Sequence, residues 1–144
     1  MALRGGIPSS VNPNTRIKGF DIVLSNLNKE IRAIQGRSMD GLFAAAAKIR
    51  KDMDHIPPLI PVKTGELRRS WFVHPLSKTS FKGGYGPVVK CGFSADYALY
   101  VHEMLDPDIN WTRANSGPKF FEYAVKRNRE TILKIIRDHV KIAK

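Results

Sequence analysis

The chain has a single cysteine, Cys91, in 144 residues. One thiol excludes an internal disulfide framework and any zinc site built from several cysteines of one chain. Its neighbours Val88, Val89 and Lys90 on one side and Gly92 and Phe93 on the other read as a strand, which makes Cys91 a small buried hydrophobe. Long apolar runs are also missing. The longest stretch without charge, residues 5–15, is rich in Pro, Ser and Asn, far from the roughly 20 apolar residues of a membrane span. A lone Arg4 with no apolar stretch behind it argues against a secretory signal. Acidic residues are scarce: 13 stand against 24 Lys and Arg, a formal net charge of +11. Such a balance acts on solubility, steering and attraction to polyanions and leaves the fold undecided.

What is present has globular character, with 42% hydrophobic and 26% charged residues, in a chain sized for one domain with its own core. The charge is unevenly spread. Residues 58–94 and 118–144 each carry a net +5, whereas residues 95–117 carry −3. An oligomer can use that alternation, acidic loops of one subunit meeting basic surfaces of the next.

Residues 1–17, with Gly5, Gly6, Pro8 and Pro13, show no periodicity and read as an extended N-terminal arm, expected to be ordered only against a neighbour; residues 18–144 form the single domain. Phe20, Val23, Leu24, Leu27, Ile31 and Ile34 fall on one helical stripe, which predicts a helix over 19–35 ended by Gly36. Ser38 is placed to cap a second helix over 39–54, with Met39, Leu42, Phe43, Ala46, Arg50 and Met53 on one side and a narrow Ala44–Ala47 middle suited to close packing. Pro57 and Pro58 stop it. Thr64 is placed to cap one helical turn with Leu67 turned inward. Residues 71–74 begin a strand, residues 77–86 with three glycines read as a flexible hairpin loop, and residues 87–93 return as a second strand. A last long helix is predicted over 118–143, with Pro118 in its first turn and Phe121, Val125, Ile132, Ile135, Ile136, Val140 and Ala143 as its stripe. The order predicts a compact α+β domain: two N-terminal helices, a small antiparallel sheet and a long C-terminal helix.

No catalytic constellation is visible. His55, His74, His102 and His139 lie in four different elements. His102 and Glu103 are adjacent and should diverge on a regular element, so neither a metal site nor a cofactor is expected. The stretch Gly83-Gly84-Tyr85-Gly86 lacks the Gly-Lys-Ser/Thr ending of a phosphate loop and reads as a turn. Arg68, Arg69 and the bases of the last helix have the charge to touch phosphates, but no nucleic-acid motif accompanies them.

Four segments carry a resemblance. Ile60-Pro61-Val62-Lys63-Thr64-Gly65-Glu66-Leu67-Arg68-Arg69-Ser70 resembles the Val-Pro-Val-Asp-Thr-Gly-x-Leu-Arg-x-Ser signature of phage tail-completion proteins, the gene-ten putative tail component family. Ala95-Asp96-Tyr97-Ala98-Leu99-Tyr100-Val101-His102-Glu103 is similar to its Tyr-Ala-x-Tyr-Val-Glu segment. Ser116-Gly117-Pro118-Lys119-Phe120-Phe121-Glu122-Tyr123-Ala124 is similar to its Pro-Phe-Leu-x-Pro-Ala start of the closing helix. Ile17-Lys18-Gly19-Phe20-Asp21 is similar to its usual opening. Lys63 stands where Asp is usual, His102 is an extra residue before Glu103, Met104-Leu105 replaces Gly-Thr, and Trp111 and Arg113 stand where many members have small residues. The resemblance implies a non-enzymatic virion protein of a tailed phage, assembled in the bacterial cytoplasm into a six-fold ring in the neck. Its partners would be further copies of itself, a head-side connector or stopper, a tail terminator or tail tube protein, and viral DNA passing without sequence-specific contacts; no membrane is implied. Interface positions expected on this basis are Thr64, Gly65, Leu67, Arg68, Tyr97, Tyr100, Glu103, Pro118 and Phe120. The alternatives are a tail terminator or minor capsid protein, and a small basic nucleic-acid-binding protein.

Overall fold

A computed structural model describes residues 19–81 and 84–141, the side chains of residues 77–81, 84 and 85 excepted. The expected arm over 1–17 lies outside the described residues, as does Ala143. The elements run α1 (Phe20–His55), α2 (Glu66–Arg69), β1 (Trp71–Phe81), β2 (Gly84–Phe93), α3 (Ala98–Glu103), α4 (Phe120–Arg127) and α5 (Arg129–Val140), an α+β chain.

Two compact units divide the chain after residue 33. The first, where described, is the opening part of α1, whose Phe20, Val23, Leu24, Leu27 and Ile31 are all exposed. The stripe that the sequence assigns to a core is therefore a surface. The second unit, residues 34–144, holds the rest.

The two expected N-terminal helices are one, α1, of 36 residues. A glycine inside a helix costs about 1 kcal/mol relative to alanine, which does not end a helix without a proline behind it. Gly36 is passed through, and the Ser38 hydroxyl, instead of capping a new helix, donates to the Ile34 carbonyl four residues back at 2.8 Å. The buried face is also rotated from the expected one. It runs through Gly41, Ala45, Ala46, Ile49, Asp52 and Met53, while Phe43 is exposed. The small residues allow a close approach: a Cβ built on Gly41 would lie 3.2 Å from both Ile136 Cα and His139 Cβ. α1 ends before Pro57 and Pro58, joined by a cis peptide bond.

β1 and β2 pair antiparallel from Trp71 opposite Phe93 to Phe81 opposite Gly84, with an irregularity between Leu76 and Thr79. The strands thus continue through most of the segment expected to be a hairpin loop. Backbone pairing outweighs its glycines; residues 82 and 83 lie outside the described residues. Cys91 is half-buried in β2, and burial raises its thiol pKa.

The closing helix is divided at Asn128, which is buried. Its Nδ2 donates to the Ala124 carbonyl at 2.8 Å, so the side chain occupies an acceptor near the end of α4. Pro118 stands ahead of α4 rather than in its first turn, because Lys119 takes the cap position with φ 57°. The core gathers Ile49, Met53, Ile60, Leu67, Phe120 and Ala124, flanked by Trp71, Phe93, Val101, Phe121, Val125 and Ile132. Trp71 and Phe93 meet edge to face with centroids 5.2 Å apart, and Phe93 meets Phe120 at 5.7 Å, the geometry that aromatic quadrupoles favour.

Candidate functional site

Residues 61–67, α3 and the loop that follows it border a groove of about 590 Å³. Val62, Leu67, Val101, Met104, Ile109 and Trp111 give it apolar walls, with Lys63 and Glu66 among the polar residues. The turn on one wall is built around Gly65, whose φ of +80° precedes α2. A side chain in that region strains the backbone, and this conformation, rather than a close contact, is what requires glycine: no atom lies within 4 Å of a Cβ built there. The Thr64 hydroxyl accepts from the Glu66 N–H at a long 3.4 Å, so the cap position belongs to Gly65. Leu67 faces inward and is buried, as its position in the sequence predicts. The Tyr97 hydroxyl donates to Glu66 Oε2 at 3.5 Å across the groove.

Beneath this turn the end of α1 is held by two carboxylates. Asp54 lies among Arg50, Arg68 and Arg113; Arg68 Nε is 2.9 Å from its Oδ1, and Arg113 Nη1 is 3.6 Å from it. Arg113 also donates to the carbonyls of Ile60 at 3.2 Å and Asp54 at 2.9 Å, which fastens the 105–117 loop to the chain leaving α1. Asp52, 2% exposed, receives two N–H groups of Arg127 on its Oδ2, one at 2.9 Å. The same guanidinium reaches the Pro57 carbonyl at 3.0 Å. Planar, multiply donating arginine suits such sites. None of Asp52, Asp54, Arg113 and Arg127 stands out in the sequence. The only signal was Arg113 in a loop where the resembling family carries small residues.

On the other side of α3, Glu103 does meet His102, against expectation. Nδ1 of His102 lies 2.7 Å from Glu103 Oε1, and the Glu122 N–H points to Nε2 at 3.4 Å. The ring thus bridges the Glu103 carboxyl and the start of α4. The short α3 ends at Glu103, so its last side chain is free to turn back. Glu103 Oε2 also pairs with Lys119. Lys119 first, then His102, hold the Glu103 carboxyl below the ordinary glutamate value, and Glu103 in turn raises the Lys119 ammonium. Lys126, then Lys119, lower Glu122.

The nine expected interface positions therefore separate. Thr64, Gly65, Leu67 and Tyr97 line the groove. Arg68 pairs with Asp54, Glu103 with Lys119, and Tyr100 is 70% exposed. Pro118 is half-buried. Phe120, at 1% exposure, and Leu67 are core side chains, committed to packing within this chain. Among the described residues, no three His, Cys, Asp or Glu side chains gather where one metal ion could be held, and no helix is long and apolar enough to cross a membrane. The chain matches no protein-family model, no curated protein and no solved structure.

Proposed function

We propose that the protein is a structural subunit of a tailed-phage neck, a tail-completion or head–tail joining protein that assembles with itself and with neighbouring neck proteins and carries out no catalysis. One observation carries this reading. Three of the segments that resemble the tail-completion family, residues 60–70, 95–103 and 116–124, converge on one part of the fold. Leu67 and Phe120 share the core, Tyr97 reaches Glu66, the Lys119 N–H donates to the His102 carbonyl at 2.8 Å, and the Ser116 hydroxyl donates to the Ile60 carbonyl at 3.5 Å. Direct contacts among the three segments are what a signature that builds one local structure requires. Around it, the groove and the exposed Tyr100 offer surface for a neighbour.

The net charge of +11 favours a second reading, a small basic nucleic-acid-binding protein, with exposed Arg129, Lys134 and Arg137 on α5 available to phosphates. The two readings divide on one comparison. A neck subunit forms rings visible by electron microscopy, alone or with neck partners, and binds duplex DNA only at micromolar or weaker affinity in about 150 mM salt, since several fixed phosphate contacts would arrest the passing duplex. Tight, saturable DNA binding without assembly would replace the neck reading with the second.

A further inference from the structure

The opening of α1 presents an apolar stripe to solvent: Phe20 is 53%, Val23 61%, Leu27 54% and Ile31 44% exposed. Single exposed apolar residues are ordinary, but a contiguous row of large ones on one helix marks an interaction surface. We propose that this stripe packs against the same stripe of a second copy of the chain.

Three observations select that occupant. The first is spacing. Phe20, Leu24, Leu27, Ile31 and Ile34 alternate by four and three residues, the seam by which helices pack on helices. The same alternation runs on through Ser38, Gly41 and Ala45. There Gly41 and Ala45 are buried, and Gly41 lies against α5 at Ile136 and His139. One half of the seam thus has its helix, and the other half has the same requirement.

The second is charge. Residues 20–34 contain two acids, Asp21 and Glu30, and two bases, Lys29 and Arg32. This neutral segment sits in a chain of net charge +11. Two copies repel one another over most of their surface, and here they do not. A nucleic acid or an anionic lipid surface would instead select a basic face.

The third is helix stability. Residues 20–33 prolong α1 beyond its packed part, where a helix end without packing frays, and Val23, Ser25, Asn26 and Asn28 are weak helix formers. Packing stripe on stripe buries the side chains that are exposed among the described residues. One helical stripe on each side makes a small interface, at the low end of the range that begins at about 1,200 Å², so pairing is expected to depend on concentration.

The pairing is argued from the helix alone and holds whichever function is correct. The test uses the full chain. Sedimentation velocity over a concentration series should show the mass rising in the wild type. A Leu27→Lys/Ile31→Lys variant should weaken association by about 100-fold or more, because it places two desolvated ammonium groups in the seam. Both positions are exposed and outside the core, so the urea midpoint of the 34–144 unit should stay in place, which separates lost pairing from lost folding. In a Cys91→Ser background, Leu27→Cys should form a disulfide-linked dimer on oxidation, whereas Lys29→Cys, on the far side of the helix, should not. A wild type monomeric throughout the series, association unchanged in the double variant, or equal cross-linking at 27 and 29 would overturn the proposal. Failure to form neck rings with intact stripe-dependent pairing would instead count against the neck reading alone.

Discussion

Replacing Arg127 with alanine should be the most damaging single change at a polar residue of this chain. Asp52 is 2% exposed, and its Oδ2 depends on two N–H groups from Arg127. Its Oδ1 is buried without a hydrogen-bond partner among the described residues. Arg127→Ala therefore strands a carboxylate in the interior and also frees the carbonyls of Ile56 and Pro57. Breaking a buried pair from one side costs about 3–5 kcal/mol, because the remaining charge keeps its desolvation penalty. That is a large share of the roughly 5–15 kcal/mol that holds a domain together. The melting temperature should fall by roughly 10 °C. Urea unfolding followed by circular dichroism measures the loss, and a double-mutant cycle with Asp52→Leu and Arg127→Met tests its cause. Removing both charges should recover most of the stability, since neither penalty remains. An Arg127→Ala variant within about 1 kcal/mol of wild type, or a double variant as unstable as the single one, would refute the argument.

Leu67→Ala should cost about 2–4 kcal/mol in the same unfolding assay, the range for emptying a buried leucine site. Gly65→Ala should cost about 1–2 kcal/mol through the positive φ at that turn, although open space surrounds the position. Arg68→Ala, by contrast, removes a half-exposed partner of Asp54 and should change stability by less than about 1 kcal/mol; any larger effect should appear in assembly, read as ring formation. The Glu103–Lys119 pair has a defined pH signature. Lys119 and His102 lower the Glu103 carboxyl below its ordinary value of 4.5, so the contribution is complete above that value and fades as pH falls through the lower, folded-state value. Glu103→Gln should flatten the acid limb of the stability profile in that window, and added salt should do the same to the wild type, because the pair is solvent-exposed.

The sequence by itself determined the local elements. Proline at 57 and 58 stops α1, Leu67 points inward after a turn, Cys91 lies in a strand, and helices flank a small antiparallel sheet. Each follows from a pattern within a dozen residues, where backbone geometry and the apolar period act directly. Tertiary structure decided what local patterns leave open. Gly36 and Ser38 are compatible with a break or with a continuous helix, and hydrogen bonds along 36 residues favoured continuity. The stripe from Phe20 to Ile31 has the period of a core helix, but period says only that a face suits another helix and not whether that helix belongs to the same chain. The strands reached into the glycine-rich segment because each pairs with the other, a gain invisible to either alone. Asp52, Asp54, Arg113 and Arg127 were unremarkable charges in a basic chain. They became the fastening of α1 to the loop and to α4 only when the fold brought residues more than fifty positions apart within hydrogen-bond reach, where low exposure makes each unpaired charge costly.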